Sequence, residues 1–233
     1  LSVPVDMDQE EVGRLFEKYG YMVIPVVDEH QVMCGIITFD DIIDVLNEET
    51  TEDMQKMAAI VANDKSYLNT SIWDHAKSRI VWLLILMFSA TLTGSIISRY
   101  EHAFSVMPLL VSFIPMLMDT GGNCGSQSST LIIRGLAVDE IEFSDFFKVV
   151  FKEFRISIVV GFFLAIANGI RIAVMNHNIR LAIVVSLSIM LTVMISKLVG
   201  CILPIAAKRL NFDPAIMAAP IITTVVDTLA IIV

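Results

Sequence analysis

Residues 80–98 read IVWLLILMFSATLTGSIIS, nineteen consecutive residues without a charged side chain. An α-helix rises about 1.5 Å per residue, so a run of this length can cross a hydrocarbon core of about 30 Å. Further spans are indicated by the apolar runs at 104–118 with a polar continuation, 154–175, 181–203 and 214–233. The sequence therefore predicts a polytopic α-helical membrane protein with five transmembrane helices in a lipid bilayer. Because the last run is still apolar at Val233, it remains open whether that helix is complete.

The composition supports a membrane location. Of the 233 residues, 55% are hydrophobic, and the mean hydropathy of +0.73 exceeds what a soluble domain needs to fill one core. The net charge of −9 is unevenly distributed, since residues 1–79 contain 16 acidic and 6 basic side chains, whereas residues 80–233 contain 9 and 10. Binding to nucleic acid requires a basic surface. The acidic portion therefore argues against nucleic acid and favours divalent cations as partners.

The basic residues at the ends of the apolar runs predict the orientation in a cell membrane. Under the five-helix assignment most of them fall on one side, and the positive-inside rule places that side in the cytosol. The N-terminus is then cytosolic and the C-terminus extracytosolic. The predicted cytosolic side contains Arg79, Arg134, Lys148, Lys152, Arg155, Lys208 and Arg209, and the opposite side contains Arg99, Arg171 and Arg180.

Residues 1–50 have the pattern of a small cytosolic α/β unit of βαββα type. Helices are indicated from Gln9 to Tyr19 and from Asp40 to Leu46, and strands at 23–27 and 32–38. A unit of this size buries little surface, so we expect apolar strand faces that another segment or a partner must cover.

Residues 51–79 contain neither Pro nor Gly. Without a helix breaker, this segment predicts one connecting helix that leads into the membrane domain at 80–233.

Polar residues interrupt the second apolar run at a regular spacing. In PLLVSFIPMLMDTGGNCGSQSSTLIIRGLA, residues 108–137, Asp119, Asn123 and Gln127 are four residues apart, so a helix would place them on one face. Such a row of oxygen-bearing side chains can line a hydrated cation path, but amides and hydroxyls also join one helix to another, and the sequence leaves both roles open. Gly121 and Gly125 have the spacing of a close helix contact.

Asp227 lies inside the apolar stretch APIITTVVDTLAIIV, residues 219–233, with no cationic residue in the same span. An ionisable residue at membrane depth is a functional site by default, although a protonated or helix-paired structural carboxyl is the alternative. Thr223 precedes Asp227 by one turn and Pro220 by two, so a hydroxyl, a carboxylate and a carbonyl can share one face. Hard oxygen ligands of this kind suit Mg²⁺ or Ca²⁺.

Two resemblances follow from these motifs. MVIPVVDEHQVMCGIITFDDIIDVL, residues 22–46, resembles the second half of a CBS domain. MDTGGNCGSQSST, residues 118–130, together with FDPAIMAAPIITTVVD, residues 212–227, resembles the MgtE-type magnesium transporter family. The order of CBS half, connecting helix and five spans also matches that family. The resemblance implies transport of a divalent cation, most readily Mg²⁺, and not an enzyme.

The family resemblance also implies specific roles. It implies a homodimer with a central pore, in which the carboxylate matching Asp227 binds Mg²⁺ and the connecting "plug" helix closes the pore. The predicted pore ligands are Asp227, Thr223, Asn123 and Asp119. Regulatory Mg²⁺ would bind acidic residues of the CBS part, the plug helix and the foot of the last span, here Asp41, Glu49, Glu52, Asp53 and Asp213. Mg²⁺ would then be both transported ion and regulator.

Simpler interpretations remain for part of this set. Asp213 precedes Pro214 and can be a helix N-cap, and the acidic side chains of residues 1–79 can be an ordinary solvated face. The competing function is a membrane-anchored CBS sensor that binds an adenine nucleotide or a metal without transport. Metal flux distinguishes the two, because an anchor predicts none.

Overall fold

A computed structural model describes residues 1–63, 66–100, 102, 105 and 108–233 of the chain, without the side chain of Ala219. The chain divides into two compact units. The first unit consists of Leu1–Gln55 and Ala62–Asn69, and the second of Lys56–Val61 and Thr70–Val233.

A three-stranded sheet forms one layer of the first unit. Its strands are β1 (Val3–Pro4), β2 (Val23–Val27) and β3 (Met33–Thr38), in the order β1-β2-β3. β1 runs parallel to β2, and β2 runs antiparallel to β3 with Ile24 opposite Ile37. The strand predicted at 23–27 is confirmed, and the one predicted at 32–38 begins one residue later.

Two helices cover one side of this sheet and close a small core. They are α1 (Gln9–Tyr19), as predicted, and α2 (Phe39–Met57), which continues well beyond the predicted end at Leu46. The core consists of Val3, Val12, Phe16, Ile24 and Ile42. The expected uncovered strand surface is also present, since Met33 and Ile36 are more than half exposed. Considered by itself, the first unit thus leaves apolar strand residues open.

The predicted single connecting helix over 51–79 is wrong. α2 continues across the proposed boundary at residue 50 and ends at Met57, and Ala59 adopts a left-handed conformation with φ 55°. The next long helix starts only at Ile72, where the Ser71 hydroxyl accepts the Asp74 N–H at 3.1 Å. By accepting this N–H, Ser71 stabilises the start of a new helix at Ile72. A segment without Pro or Gly can therefore still contain a break between two helices.

The second unit is a bundle of long helices. The helices are α3 (Ile72–Arg99), α4 (Ile114–Ala137), α5 (Phe146–Asn176), α6 (Ile179–Arg209) and α7 (Ala219–Ile232). Short 3₁₀ segments at Pro108–Phe113, Phe143–Asp145 and Pro214–Met217 precede α4, α5 and α7. α5 packs along α6, α4 contacts both α6 and α7, and α3 contacts α7.

Four helical segments of the described chain are long and apolar enough to cross a membrane: Ile72–Arg99, Phe143–Asn176, Ile179–Arg209 and Pro214–Ile232. The predicted polytopic helical membrane fold, preceded by a small α/β unit, is confirmed. The second predicted span, 104–118 with a polar continuation, needs a correction at its start, because the helix begins at Ile114 and runs through the polar continuation to Ala137. Residues 104, 106 and 107 lie outside the described part. α4 falls short of the apolar composition of the other four because of its polar residues, so its passage across the bilayer stays a prediction.

Candidate functional site

The polar residues of α4 share one face of that helix. Asp119, Asn123 and Gln127 are all exposed in the single chain, as is Leu131 one turn further on. A spacing of four residues advances only slightly around a helix of 3.6 residues per turn, which explains the common face. We call Asp119, Asn123, Gln127 and Leu131 the open face of α4. The structure thus brings two of the predicted pore ligands, Asp119 and Asn123, onto one side of one helix.

The opposite face of α4 is built for close contact with α6 and α7. A Cβ atom at Gly121 would lie 2.7 Å from a Val226 methyl group, and one at Gly125 would lie 2.6 Å from a methyl group of Ile222. Separations this short exclude a side chain at both positions. The close helix contact that the glycine spacing predicted is therefore made inside the chain, and it holds α7 against α4.

The same packing places a predicted pore ligand beside α4. A Cβ atom at Gly122, the neighbour of Asn123, would lie 3.0 Å from the Cγ2 atom of Thr223. The hydroxyls of Thr223 and Thr224 both donate to the carbonyl oxygen of Pro220 at 3.0 Å. Each hydroxyl oxygen therefore retains lone pairs that can accept a hydrogen bond from a hydrated ion.

Asp227 is half-buried on α7. Among the described residues, its carboxylate has no hydrogen bond and no ion pair. A carboxylate in this position must be protonated, solvated or matched by a cation, because an isolated charge away from water is very unfavourable. Among the predicted pore ligands, Asp227 is the half-buried carboxylate that a cation would stabilise.

Protein ligands alone do not form a metal cage here. Within the described residues, no three His, Cys, Asp or Glu side chains come together in a way that could hold a metal ion. Mg²⁺ dehydrates reluctantly and is usually bound through one or two carboxylates while it keeps several waters. A sparse set of oxygen atoms, such as Asp227, Thr223 and the open face of α4, fits an ion that keeps its water shell.

The acidic residues predicted to bind regulatory Mg²⁺ have local partners in the first unit. Asp41 Oδ2 accepts both the hydroxyl and the N–H of Thr38, at 2.6 and 3.0 Å, at the start of α2. The hydrogen bond from the Thr38 hydroxyl lowers the pKa of Asp41 most, and the one from the Thr38 N–H lowers it further. Glu49 accepts a hydrogen bond from the Gln9 side chain at 2.7 Å, while Glu52 and Asp53 are half-buried on the same helix.

Asp213 has a defined structural role in the second unit. Its Oδ1 atom accepts the Ala215 N–H at 2.8 Å, which confirms the helix N-cap interpretation. Its Oδ2 atom lies 2.7 Å from Nζ of Lys56, near the end of α2. A metal ion bound at Asp213 would therefore compete with Lys56 for the same carboxylate.

A buried polar cluster escaped the sequence-based prediction. Ser128 of α4 donates to Glu153 of α5 at 2.7 Å and accepts from Lys197 of α6 at 3.1 Å. The signal was available, because Lys197 is an ionisable residue inside the apolar run 181–203. Glu153 stands just before the predicted start of its span at 154, so the apolar window excluded it. We call Ser128, Glu153 and Lys197 the buried triad.

Comparison with known proteins places these features in a family. The model of the family described as MgtE, divalent cation transporter, matches residues 114–233, and the CBS domain model matches residues 1–48. The magnesium transporter MgtE of Bacillus subtilis is 39% identical over 233 residues, which are 100% of this chain and 51% of the relative. The magnesium transporter MgtE of Thermus thermophilus is 36% identical over 231 residues, 99% of this chain and 51% of the relative.

A third relative gives the same picture at lower identity. The magnesium transporter MgtE of Enterococcus faecalis is 31% identical over 233 residues, which are 100% of this chain and 51% of the relative. The chain thus spans about half the length of the curated relatives that it matches.

Proposed function

The chain belongs to the MgtE family of divalent cation transporters, and from this premise we propose that it carries Mg²⁺ across the membrane along a pathway bordered by α4 and α7. The family is one of transporters and not of enzymes, as the sequence predicted. The chain is a multi-pass membrane protein. The choice of Mg²⁺ rests on the names of the three relatives and on the oxygen-rich ligand set.

One observation supports the proposed pathway most strongly, namely the unpaired carboxylate of Asp227. This side chain lies on an apolar helix and has no hydrogen bond or ion pair among the described residues. A passing divalent cation supplies the charge that the carboxylate lacks, while Thr223 accepts hydrogen bonds from the water shell of the ion. Asp119 and Asn123 offer further oxygen atoms on the open face of α4. The bound ion is the transported substrate.

We propose that two copies of the chain form the pore. The support comes from the open face of α4, whose carboxylate and amides are exposed in the single chain. Polar side chains at membrane depth must face protein or water rather than lipid. A second copy, related by a twofold axis, would enclose a water-filled space along this face. It would also contribute a second Asp227, so that two carboxylates balance the charge of one divalent ion.

Cross-linking in bilayers tests the proposed dimer. A cysteine introduced as Leu131→Cys, on the open face of α4, is expected to be cross-linked between two copies by a short bifunctional thiol reagent after Cys34, the exposed native thiol, is replaced by Ser. Leu187→Cys, at another leucine that is more than half exposed, on α6, is the matched control and should not be cross-linked. Exclusively monomeric protein in the bilayer would contradict the two-copy pore.

We further propose that cytosolic Mg²⁺ closes the pore. Residues 1–79 carry ten more acidic than basic side chains, 16 against 6, on the side of the membrane that the positive-inside rule assigns to the cytosol. The N-terminus would be cytosolic and the C-terminus extracytosolic. Metal bound to Glu49, Glu52 and Asp53 in the first unit, and metal bound to Asp213 in the second, would each favour the closed state if the ion binds that state more tightly. At Asp213 the metal would replace Lys56 as the positive partner.

Flux into proteoliposomes tests the proposed function. We expect a Mg²⁺-sensitive dye trapped inside the vesicles to report uptake when external Mg²⁺ is added to vesicles that contain the protein. Vesicles without protein provide the control for leakage. The competing function, a membrane-anchored sensor, predicts no protein-dependent uptake. Absence of uptake at low internal Mg²⁺, where the pore is expected to be open, would refute transport by this chain.

A further inference from the structure

The buried triad joins three helices of the bundle at one point. Ser128 of α4, Glu153 of α5 and Lys197 of α6 are only 1%, 7% and 5% exposed. The Ser128 hydroxyl lies between the two charges, donating to Glu153 Oε2 at 2.7 Å and accepting from Lys197 Nζ at 3.1 Å. The two charged groups are themselves 4.0 Å apart. Each charged group therefore lies closer to the Ser128 hydroxyl than to the other charged group, and the hydroxyl links the two.

Stability alone does not account for this arrangement. Removing two charges from water costs about as much free energy as their mutual attraction supplies, so apolar residues of similar volume would hold the helices together equally well. The best-attested role of buried polar groups is to fix the register of helices against one another. Only one rotational setting of α4 brings the Ser128 hydroxyl to both charged groups.

The rotational setting of α4 decides where the open face points. Successive residues of a helix are about 100° apart around its axis, so Asn123 and Ser128 are separated by about 140°. With Ser128 bound to the Glu153–Lys197 pair, Asp119 and Asn123 are directed to the opposite, open side. Cys124, which is 5% exposed, lies on the buried side next to Asn123. A rotation of α4 that turned Asn123 inward would uncover this thiol.

We propose that Glu153 and Lys197, acting through the Ser128 hydroxyl, are positioning residues that fix the rotation of α4 and thereby hold Asp119 and Asn123 toward the ion pathway. The claim that Asp119 and Asn123 face an ion pathway rests on the proposed transport function. The claim that the buried triad fixes the rotation of α4 does not depend on transport, and it can be tested without measuring transport.

The reactivity of Cys124 measures the rotation directly. In a Cys34→Ser, Cys201→Ala background, Cys124 is the remaining native thiol, and a polar thiol reagent should label it slowly in proteoliposomes. Ser128→Ala removes the hydrogen bonds of α4 to the buried triad while leaving both charges in place, and we expect about a tenfold faster labelling of Cys124, the factor that corresponds to about 1.4 kcal/mol of lost preference for one setting. Ser157→Ala is the matched control, because among the described residues this buried hydroxyl donates only to the carbonyl of Phe154 in its own helix.

A second reporter distinguishes rotation of α4 from general loosening of the bundle. The Ser186 hydroxyl is buried close to Gly169, between α5 and α6 and away from α4. A cysteine introduced as Ser186→Cys in a chain without the native thiols should keep its labelling rate when Ser128→Ala is added. Equal acceleration of both reporters, or a Cys124 rate matching that of Ser157→Ala, would overturn the positioning role.

Variants of the charged pair give an independent measurement. Lys197→Met leaves Glu153 as an unpaired buried charge and is expected to accelerate Cys124 labelling at least as much as Ser128→Ala does. If this variant does not fold, the double variant Glu153→Met, Lys197→Met, which contains neither a buried charge nor a side-chain partner for the Ser128 hydroxyl, is measured instead. Protection of Cys124 in the double variant equal to that in the parent protein would refute the proposal.

Uptake measurements connect the rotation to the ion. The concentration of Mg²⁺ that gives half-maximal uptake should rise about tenfold in Ser128→Ala relative to Ser157→Ala. If the parent protein shows no uptake, the proposed transport function is refuted. The Cys124 labelling rates still test whether the buried triad fixes the rotation of α4. If uptake is normal in Ser128→Ala and Cys124 stays protected, the positioning role fails while transport stands.

Discussion

Replacing Asp227 with asparagine is expected to reduce Mg²⁺ uptake into proteoliposomes by at least about thirtyfold. The substitution keeps the shape of the side chain but removes the charge that has no hydrogen bond or ion pair among the described residues. Losing one member of a close charge pair costs about 2–5 kcal/mol, and the lower value corresponds to this factor. Asp227→Ala, which also removes the side-chain oxygens, should lose uptake altogether.

A control variant distinguishes the loss of the Asp227 carboxylate from the loss of one negative charge elsewhere in the chain. Glu140→Gln removes an exposed carboxylate from the loop between α4 and α5, and its uptake should equal that of the parent protein. Size-exclusion chromatography in detergent should show the same assembly state for the parent and both Asp227 variants, because among the described residues this side chain makes no hydrogen bond or ion pair to another helix. Parental flux in Asp227→Asn would end the assignment of an ion site to α7.

The second large effect concerns closure by cytosolic Mg²⁺. Neutralising four acidic residues together, by Glu49→Gln, Glu52→Gln, Asp53→Asn and Asp213→Asn, should leave conduction intact but weaken inhibition by internal Mg²⁺. We expect the half-inhibitory concentration to rise about tenfold, within the 5- to 150-fold range that is typical of coupling between two sites. Several metal ions that each prefer the closed state add their preferences, so the loss of all of them should favour opening.

The contacts of Asp213 decide which substitution is used there. Asp213 caps the 3₁₀ turn before α7, and asparagine serves equally well at that position, so Asp213→Asn removes the charge and keeps the cap. Lys56→Met alone breaks the ion pair with Asp213 while preserving the carboxylate, and closure by Mg²⁺ should survive. These two variants separate the loss of a metal ligand from the loss of the ion pair.

Flux at low and millimolar internal Mg²⁺ gives the readout. The quadruple variant should stay active at concentrations that silence the parent protein. The matched control neutralises four acidic residues of the first unit that are not in the test set, Asp6, Glu11, Glu17 and Glu29. If the two quadruple variants respond alike, the effect is one of overall charge. If inhibition in the first set equals that of the parent, these carboxylates are an ordinary solvated face.

Part of the candidate site could be predicted from spacing alone. Because α4 is helical from Ile114 to Ala137, the interval of four residues was sufficient to place Asp119 and Asn123 on one face. The use of the glycines was only half predicted, since a spacing of four indicates close contact but does not identify the neighbour. In the structure, Gly121 and Gly125 contact α6 and α7 of the same chain.

Local sequence was misleading where a helix ends. The absence of Pro and Gly in residues 51–79 predicted continuity, yet α2 ends at Met57 and α3 begins only at Ile72. Helix ends depend on capping hydrogen bonds as much as on breakers. Ser71 caps α3 by accepting the Asp74 N–H, and the weight of such a cap against the surrounding helix formers cannot be judged without the backbone.

The amino-acid sequence by itself determined the membrane class, four apolar helical segments and the family, because these depend on the length and polarity of continuous segments and on local motifs. The tertiary structure decided which side chains meet across helices. Glu153 and Lys197 lie 25 and 69 residues from Ser128 in the chain, and Lys56 lies far in sequence from Asp213. No local pattern encodes such pairs, since their approach depends on how whole helices pack. The same packing leaves Asp227 without a partner among the described residues, whereas Lys197, equally charged and equally surrounded by apolar sequence, has two.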